Sequence, residues 1–585
     1  MQNYNSKCKI FIKDKIQELL QDSFAELKKN PKYEKAKPIF TLVHPNREEY
    51  GDWSANIAMS VAHQLGVSPE EVWKDLNLVL NKKIVHERIE KIGFVKPGFI
   101  NFYLSKKWFW RELKDILERQ DDYGRLDIGK GKKVQVEFIS ANPTGPLTLG
   151  NARGGFLGDV LARVLDFAGY EVQREFYIND AGKQIEALGH SILGDAEAVY
   201  KGEYIKRLRQ RCLKDLHDKI KDAYPAGESS PSRRAGEWAA EIILREMIQK
   251  TVERMGIHFD HWFSEKSLHK KGKIKEVIEE LKKKGYIQEK DGALWFLASR
   301  FNYGHKNNRK DCVLVKRNGE FTYLAGDLAY HKNKFANRGF GEVINIWGAD
   351  HYGDVARLQA GVEALGHKGK LSIILVQFVR LVEKGKEVRM SKRKGTYITI
   401  DELLDEISLD VARFFFLAYD VDTHMDFDLD LARDTSEKNP VFYVQYAYAR
   451  ICSILKESHL RQGFLLRPPE ADYEGQVGGQ VGLRQIFQTG IKNLELLKHP
   501  TELGLVRELA KFPETIENIA FDYKVHRLPY YAISLAEKFH QFYKECRVLG
   551  DNRDLSCARL MLTRATQIVL KNVLTLMGIS APKKM

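Results

Sequence analysis

The stretch ANPTGPLTLGNARGG, Ala141 to Gly155, carries four glycines, two prolines and two asparagines, and it joins two segments of different texture. Ahead of it runs KVQVEFI (133–139), apolar and β-branched. Behind it Phe156, Val160, Leu161, Val164 and Leu165 fall at helical spacing, and EVQREFYI (171–178) follows. Strand, glycine-rich turn, helix and strand within about 45 residues make a βαβ unit. Such a unit belongs to a parallel sheet whose ligand side lies at the carboxyl ends of its strands. The helix opens near Asn151, where free backbone N–H groups and the helix dipole favour an anion and glycine lets a ligand come close. A phosphate is the expected guest; a glycine turn with a purely structural role is the alternative. The stretch fits neither GxGxxG nor GxxxxGK[ST], which disfavours the ordinary dinucleotide and P-loop sites.

Further strand candidates are CVLVKR (312–317), EVINIWG (342–348) and LSIILVQFV (371–379). A helical, charged region at about 185–290 reads as an insertion between two halves of the sheet, with AYPAGESSPSRR (223–234) as an exposed loop in it. Residues 1 to about 125 combine a helical pattern (Ile10, Ile16, Leu19, Leu20, Phe24, Leu27) with GDWSANIAMSVAHQLG (51–66) and a strand-like GFINFYL (98–104), which reads as a small α/β domain. Beyond about residue 435 the strands stop. YVQYAYARICSILK (443–456), YYAISLAEKFHQFYKECRVL (530–549) and ARLMLTRATQIVLKNVLTLMG (558–578) are amphipathic helices, and GFLLRPPEADYEGQVGGQVG (463–482) reads as a flexible connection.

The chain's 585 residues exceed one ordinary core, so two to four domains are expected. With 43% hydrophobic and 29% charged residues the composition excludes a disordered or fibrous chain. No apolar run approaches the roughly 20 residues of a membrane span, and MQNYNSKCKIFIKDKIQELL lacks the apolar core of a secretory signal, so a cytoplasmic location is expected. Six scattered cysteines show no CxxC or Cys/His ligand spacing; reduced thiols are expected rather than a metal site or disulfides. Lys and Arg outnumber Asp and Glu by 93 to 79, a net charge of +14 that suits a polyanionic partner such as nucleic acid.

A second stretch, VRMSKRKGTYITI (388–400), crowds Arg389, Lys392, Arg393 and Lys394 ahead of Gly395. Placed just after a strand, these residues could close over phosphates and neutralise developing charge. On its own it is more simply a solvated basic loop.

Together the two stretches resemble the HIGH and KMSKS elements of class I aminoacyl-tRNA synthetases, and the text around them resembles the arginyl-tRNA synthetase family in its bacterial form. VEFISANPTGPL, YINDAGKQI, FDHWFSEKSL, TYLAGDLAYH, WGADHYGDVARL, SLDVARFFFLAYDVDTHMDFDLDLA, NPVFYVQYAYARI and the terminal MGISAPKKM carry the likeness from end to end, in the family's order. The resemblance implies an α/β fold: a Rossmann-like parallel-sheet catalytic domain (126–400) between a small N-terminal α/β tRNA-binding domain (1–125) and a C-terminal all-α anticodon-binding domain reached through a connecting segment (401–585). It also implies a reaction, in which ATP, with Mg²⁺, activates L-arginine to arginyl-adenylate and the arginine passes to the 3′ end of tRNA(Arg). A monomer with no membrane partner is expected. The alternatives are a catalytically weakened tRNA-binding paralogue and a class I synthetase for another amino acid.

The resemblance assigns residues by motif. For ATP it implies Pro143, Thr144, Gly145, Thr148, Gly150 and Asn151 with Met390, Ser391 and Lys392, and for catalysis Thr148, Asn151, Arg389 and Lys392. Where the family usually has His-x-Gly-His this chain has Thr148-Leu149-Gly150-Asn151, and Arg389 replaces a usual Lys. Thr hydroxyl and Asn amide can both donate hydrogen bonds to a nucleotide, and a similar Thr-Ile-Gly-Asn version occurs in tryptophan-specific class I enzymes. A guanidinium has five donors, no acceptor and a permanent charge, so its pocket needs carboxylates. The matching motifs offer Glu265, and Tyr323 with Asp327 four residues on. Ser140, Asn142 and His351 would hold the α-amino and carboxylate ends, and Glu137 matches as well. The plainer readings are a helix cap for Asp327, packing for Tyr323, a satisfied core histidine for His351 and a structural hydrogen-bond partner for Glu137. Tyr443, Tyr446, Tyr448 and Arg450 offer surfaces on which tRNA loop bases could lie, with core packing expected for about half of the tyrosines. No metal ligands are assigned.

Overall fold

A computed structural model of the chain describes residues 12–223, 230–304, 310–388, 398–460 and 479–585. At the N-terminus, helix Ile12–Leu27 buries Ile16, Leu20, Phe24 and Leu27, one stripe at helical spacing. It packs on helix Pro69–Lys83, which opens with Ser68 as cap and proline in first position. These helices and Ile57–Leu65 accompany a four-stranded antiparallel sheet in the order Leu42–Val43, Trp53–Ala55, Phe99–Leu104, Ile89–Val95.

The centre of the molecule is a five-stranded parallel sheet. Its strands are β1 (Lys133–Glu137), β2 (Glu171–Ile178), β3 (His261–Ser264), β4 (Glu342–Gly348) and β5 (Leu371–Val376), arranged β5-β4-β1-β2-β3. Helix α1 (Leu149–Phe167) makes the crossover from β1 to β2. Because β2 and β3 extend the sheet to one side of β1 while β4 and β5 extend it to the other, the strand order reverses beside β1. A crevice therefore opens outside its carboxyl end, where open α/β sheets bind their ligands.

Two points of the sheet organisation were not decided by the sequence. CVLVKR does not join the parallel sheet: Cys312–Val315 pairs with Ala293–Phe296, which pairs with Ile287–Lys290, in a separate antiparallel sheet. The burial pattern explains why. Cys312 and Leu314 are buried and their neighbours are not, as on a one-sided antiparallel sheet, whereas β4 is buried continuously from Val343 to Ile346. The fifth parallel strand is instead the short β3. The charged helical region is accordingly not one insertion. Helices Lys183–Leu193, Glu203–Ala223 and Pro231–Ile242, the last running on through a π-helical turn to Gln249–Arg254, form the crossover from β2 to β3. The small antiparallel sheet sits between β3 and β4. Within AYPAGESSPSRR, residues 224–229 lie outside the described residues, and Pro231 to Arg234 open a helix whose cap, Ser230 Oγ, accepts from Arg233 N at 3.1 Å.

The C-terminal part is helical, with Pro440–Leu460, Gly479–Lys492, Pro500–Ala510, Phe512–Asp522, Arg527–Glu545 and Arg553–Met577. Most of the connection read at 463–482 lies outside the described residues. Helix Arg553–Met577 is buried along nearly its whole length and packs on helix Lys106–Arg119 as well as its own neighbours. Among the described residues no helix is long and apolar enough to cross a membrane.

Candidate active site

The chain leaves β1 through a strained turn: Ile139 and Ser140 have φ of 65° and 40°. For a β-branched residue the left-handed region costs on the order of 1–3 kcal/mol and is held only where the surroundings demand it. The turn carries Ser140 Oγ back to Glu137, to which it donates at 3.0 Å, while Tyr177 N donates to the same hydroxyl at 3.1 Å. The following loop is pinned by Tyr204, whose hydroxyl donates to the Thr144 carbonyl at 3.0 Å. A Cβ at Gly145 would lie 3.1 Å from that hydroxyl, so only glycine passes there without displacing it. Tyr204 lies in the crossover region and no motif marked it.

Thr148 is the cap of α1, and Asn151 Oδ1 accepts from both Thr148 N and Thr148 Oγ1, each at 2.9 Å. The expectation that both side chains donate to a nucleotide is therefore revised. The Thr148 proton goes to Asn151, the two residues close the helix start on each other, and the Asn151 NH₂ remains as the side-chain donor of the element. A Cβ at Gly150 would meet nothing nearer than Thr148 Oγ1 at 3.8 Å, which leaves space over the helix start.

Residues 389–397, and with them Arg389, Met390, Ser391 and Lys392, lie outside the described residues. Both flanks are placed. Lys386–Glu387 pairs with Val379–Glu383, and Val388 N donates to Leu381 O at 2.8 Å. Downstream, Thr399 forms a β-bridge with Thr148, and Ile400 N donates to Leu147 O at 3.1 Å. The exit of the basic stretch is thus bonded directly to the glycine-rich element, although some 250 residues separate them in the chain.

Close to Glu137 at the carboxyl end of β1 lies an acidic cluster. Glu265, at the end of β3, is 7% exposed, and its Oε2 has no hydrogen-bond partner among the described residues. Burial, together with the Asp180 carboxylate nearby, pushes Glu265 up to about 7. Asp327, in helix α2 (Tyr323–Lys332), is pushed to about 8 by burial and by the facing Glu265 and Glu137. The start of α2 reaches Glu265 at a glycine, since a Cβ on Gly326 would stand 3.6 Å from Glu265 Oε1. The cap of α2 is Thr322, so Asp327 lies one turn inside the helix and is not its cap. His331 secures that turn: Nδ1 donates to Asp327 O at 2.7 Å and Nε2 accepts from Asn345 Nδ2 at 2.8 Å, and burial lowers the ring to about 3, leaving it neutral. Two carboxyl groups raised by burial and by neighbouring carboxylates favour a cationic ligand.

The other assigned residues are placed differently. Tyr323 begins α2 on the same face as Asp327 and is 63% exposed, at the rim. The side chain of His351 follows β4, 57% exposed and about 3.8–3.9 Å from the Asp350 and Asp354 carboxylates; it is not a core histidine. Asn142 sits at the mouth of the turn, its carbonyl accepting from Thr144 N at 2.7 Å. Glu137 already has a partner, the fully buried Lys334, which also donates to Asn345 Oδ1 at 3.1 Å and lies 4.2 Å from the Tyr330 ring centre. That arrangement favours the structural reading of Glu137. Lys334 occupies a π-helical turn, Asn333–Asn337, continuing from α2. Behind it Glu175 is buried, but His261 and Arg338 overcome burial and hold it at about 2, and the Tyr330 hydroxyl donates to it. Lys334, Arg338 and His331 escaped the sequence reading because a basic residue in an amphipathic helix looks like a solvated one.

On the C-terminal helices, the Arg450 guanidinium lies 5.3 Å from the Tyr446 ring centre and 5.1 Å from that of Tyr543. His540 stacks near Tyr446 at 5.9 Å, and its buried Nε2 has no hydrogen-bond partner among the described residues. Tyr443 is partly buried against His540, and Tyr448 is 5% exposed within the core. The Tyr448 ring therefore takes the packing role, and Tyr446 and Arg450 stay accessible.

Residues 112–415 match the family described as tRNA synthetases class I (R), catalytic domain, and the helix start bonded to the exit of the basic stretch is in keeping with that class. Residues 11–104 match the arginyl tRNA synthetase N terminal domain, and residues 482–585 match the DALR anticodon binding domain. A protein of Heliobacterium modesticaldum named arginine–tRNA ligase is 45% identical over 569 aligned positions, 94% of each chain, and one of Caldanaerobacter subterraneus with the same name is 42% identical over 607 aligned positions, all of each chain. The chain belongs to the arginyl-tRNA synthetase family. Its fold matches the Thermus thermophilus arginyl-tRNA synthetase (TM-score 0.70, 21% identity, 97% of this chain and 100% of that one). It also matches the Plasmodium falciparum enzyme (TM-score 0.73, 19% identity, 98% and 99%).

Proposed function

We infer that the chain carries out arginine–tRNA ligation: it activates L-arginine with ATP to arginyl-adenylate and pyrophosphate, then transfers the arginine to the 3′ end of tRNA(Arg). The observation that carries the choice of amino acid is the Glu265–Asp327 pair, with a buried carboxylate oxygen of Glu265 that has no hydrogen-bond partner among the described residues and two raised carboxyl groups suited to a guanidinium. Charging total tRNA with each of twenty labelled amino acids tests it, and charging with an amino acid other than arginine would overturn it.

In this reading ATP lies over Gly150 with its phosphates at the start of α1, between Thr144–Gly145 and Asn151. Its α-phosphate is attacked by the arginine carboxylate, which Ser140, Asn142 and His351 help to hold. Nothing covalent is asked of the protein; orientation and charge neutralisation supply the rate. Lys392 and Arg389 stabilise the pentavalent phosphorus. Mg²⁺ enters as part of the metal–ATP substrate, and no protein ligand is assigned to it. The tRNA is held by the flanking domains, with Tyr446 and Arg450 as base-stacking surfaces. The chain works in the cytoplasm as a monomer.

Lys392→Ala is expected to lower arginine-dependent ATP–pyrophosphate exchange by about 10²-fold with a smaller change in the KM for arginine, because the charge is used mainly in the transition state. Equal losses in rate and binding would contradict that role.

The acidic pocket sets a pH dependence. In the unliganded protein at neutral pH, Asp327, raised to about 8, is mostly protonated and Glu265, raised to about 7, is about half protonated, and the guanidinium must displace these protons. The KM for arginine should therefore fall as pH rises from 6 to 8.5, with proton release seen by calorimetry in buffers of different ionisation enthalpy. The folded state binds these protons more tightly than the unfolded chain. Their contribution is thus most favourable at acid pH and is lost as pH rises from the ordinary carboxyl range through about 8. Arginine should accordingly raise Tm more at pH 8.5 than at pH 6.

A further inference from the structure

Arg153 lies in α1 two residues beyond Asn151, and it is 1% exposed. It forms no ion pair among the described residues. Instead Nη1 donates to Gln377 O, and Nη2 donates to Asp420 O and Thr423 O, all at 2.8 Å. A buried guanidinium held by carbonyls alone carries a desolvation cost that simple packing would avoid, so its geometry is the part to explain. The three carbonyls come from two segments: Gln377 directly follows β5, and Asp420–Thr423 precede the strand Met425–Asp428. These segments are bonded to each other as well. Gln377 N donates to Val421 O at 3.1 Å, Met425 N donates to Phe378 O at 3.2 Å, and Val379–Glu383 pairs in parallel with Met425–Asp428. On its far side the Asp420 carboxylate accepts from Lys524 Nζ at 2.9 Å, with His526 Nδ1 at 3.8 Å. Lys524 and His526 belong to the turn between helices Phe512–Asp522 and Arg527–Glu545 of the C-terminal domain.

We propose that Arg153 is a positioning residue that makes the nucleotide end of α1 depend on the C-terminal helical domain, through the chain Arg153–Asp420–Lys524. The proposal rests on the reading of α1 as the ATP site. Arg153 is the only member inside α1, and its planar fork fits carbonyls on two segments at once, which a lysine ammonium cannot span. When Lys524 no longer holds Asp420, the 420–423 turn loses its outer anchor, the carbonyls under Arg153 shift and the first turns of α1 move with them. Orientation at the α-phosphate then suffers, while arginine binding does not, because Glu265 and Asp327 hang from β3 and α2, outside this chain of contacts.

The test uses the full-length protein with arginine, ATP and total tRNA. Lys524→Met removes a surface contact outside the site. It should lower kcat for ATP–pyrophosphate exchange about 5- to 20-fold, with the KM for arginine within about twofold and Tm unchanged, and Lys524→Arg should restore the rate. Arg153→Lys should lower kcat by about 30-fold or more. Amide hydrogen exchange at Leu149–Arg153 should quicken in Lys524→Met, whether or not the reaction is run. Parental kcat with parental exchange in Lys524→Met would overturn the proposal. A parent with no arginine-dependent exchange would overturn the assigned reaction instead, and the amide exchange would still decide the role of Arg153.

Discussion

Asp327→Asn is expected to lower kcat/KM for arginine by roughly 30- to 1000-fold, equivalent to about 2–4 kcal/mol, while the KM for ATP barely moves. The substitution is nearly isosteric, so it tests charge rather than shape. Asn keeps one acceptor but turns an NH₂ towards a ligand made only of donors. The raised carboxyl of Asp327 sharpens the expectation. Because the group carries a proton up to about pH 8 in the unliganded protein, the amide mimics its resting state, and Tm near neutral pH should stay at the parental value. A helix cap would behave otherwise, but Thr322 fills that position. Citrulline, with a neutral urea in place of the guanidinium, should be rejected by the parent and discriminated less by the variant. Parental arginine kinetics in Asp327→Asn would remove Asp327 from the pocket and leave the specificity to Glu265.

Arg413→Met is expected to destabilise the fold by about 3–5 kcal/mol, a large share of the 5–15 kcal/mol typical of folded proteins. Arg413, in helix Leu409–Leu417, is fully buried. It donates to the Asp159 carboxylate in α1, to Met255 O at the end of the β2–β3 crossover (2.7 Å) and to Met577 O at the end of the last helix (2.8 Å). The chain can turn away from that last helix only because Gly578, at φ 67°, closes it; a Cβ there would lie 2.5 Å from the guanidinium. Losing Arg413 leaves two carbonyls without this donor and leaves Asp159 buried beside the partly exposed Arg163 (3.0 Å). Urea unfolding should report the loss. The pair Arg413→Met with Asp159→Leu should recover part of it, because the buried carboxylate is removed along with its partner while the two carbonyls stay without this donor. A single variant within about 1 kcal/mol of the parent would show that the three segments hold together without this contact.

Local signals sufficed for β1, α1 and β2, for the helical C-terminal part and, within two residues, for the start of α1. Strand alternation, helical spacing, glycine turns and helix starts are all set by neighbours a few residues apart. Motif resemblance carried Glu265 and Asp327, which periodicity could not mark. Tertiary structure decided the rest, because burial depends on segments distant in the chain. A four-residue run such as CVLV serves a one-sided or a two-sided sheet equally well until its faces are covered, and so it went to the antiparallel sheet while β3 took the parallel edge. Tyr446 and Tyr448 differ by two helix positions, which is enough to expose one and bury the other. Nothing in the sequence marks Arg153 and Arg413 as buried; they are buried because their partners are carbonyls and a carboxylate brought from 158 to 270 residues away. The raised carboxyl groups of Glu265 and Asp327 likewise exist only once the chain is folded, because burial and carboxylates from other segments, Asp180 beside the one and Glu265 and Glu137 beside the other, push them up.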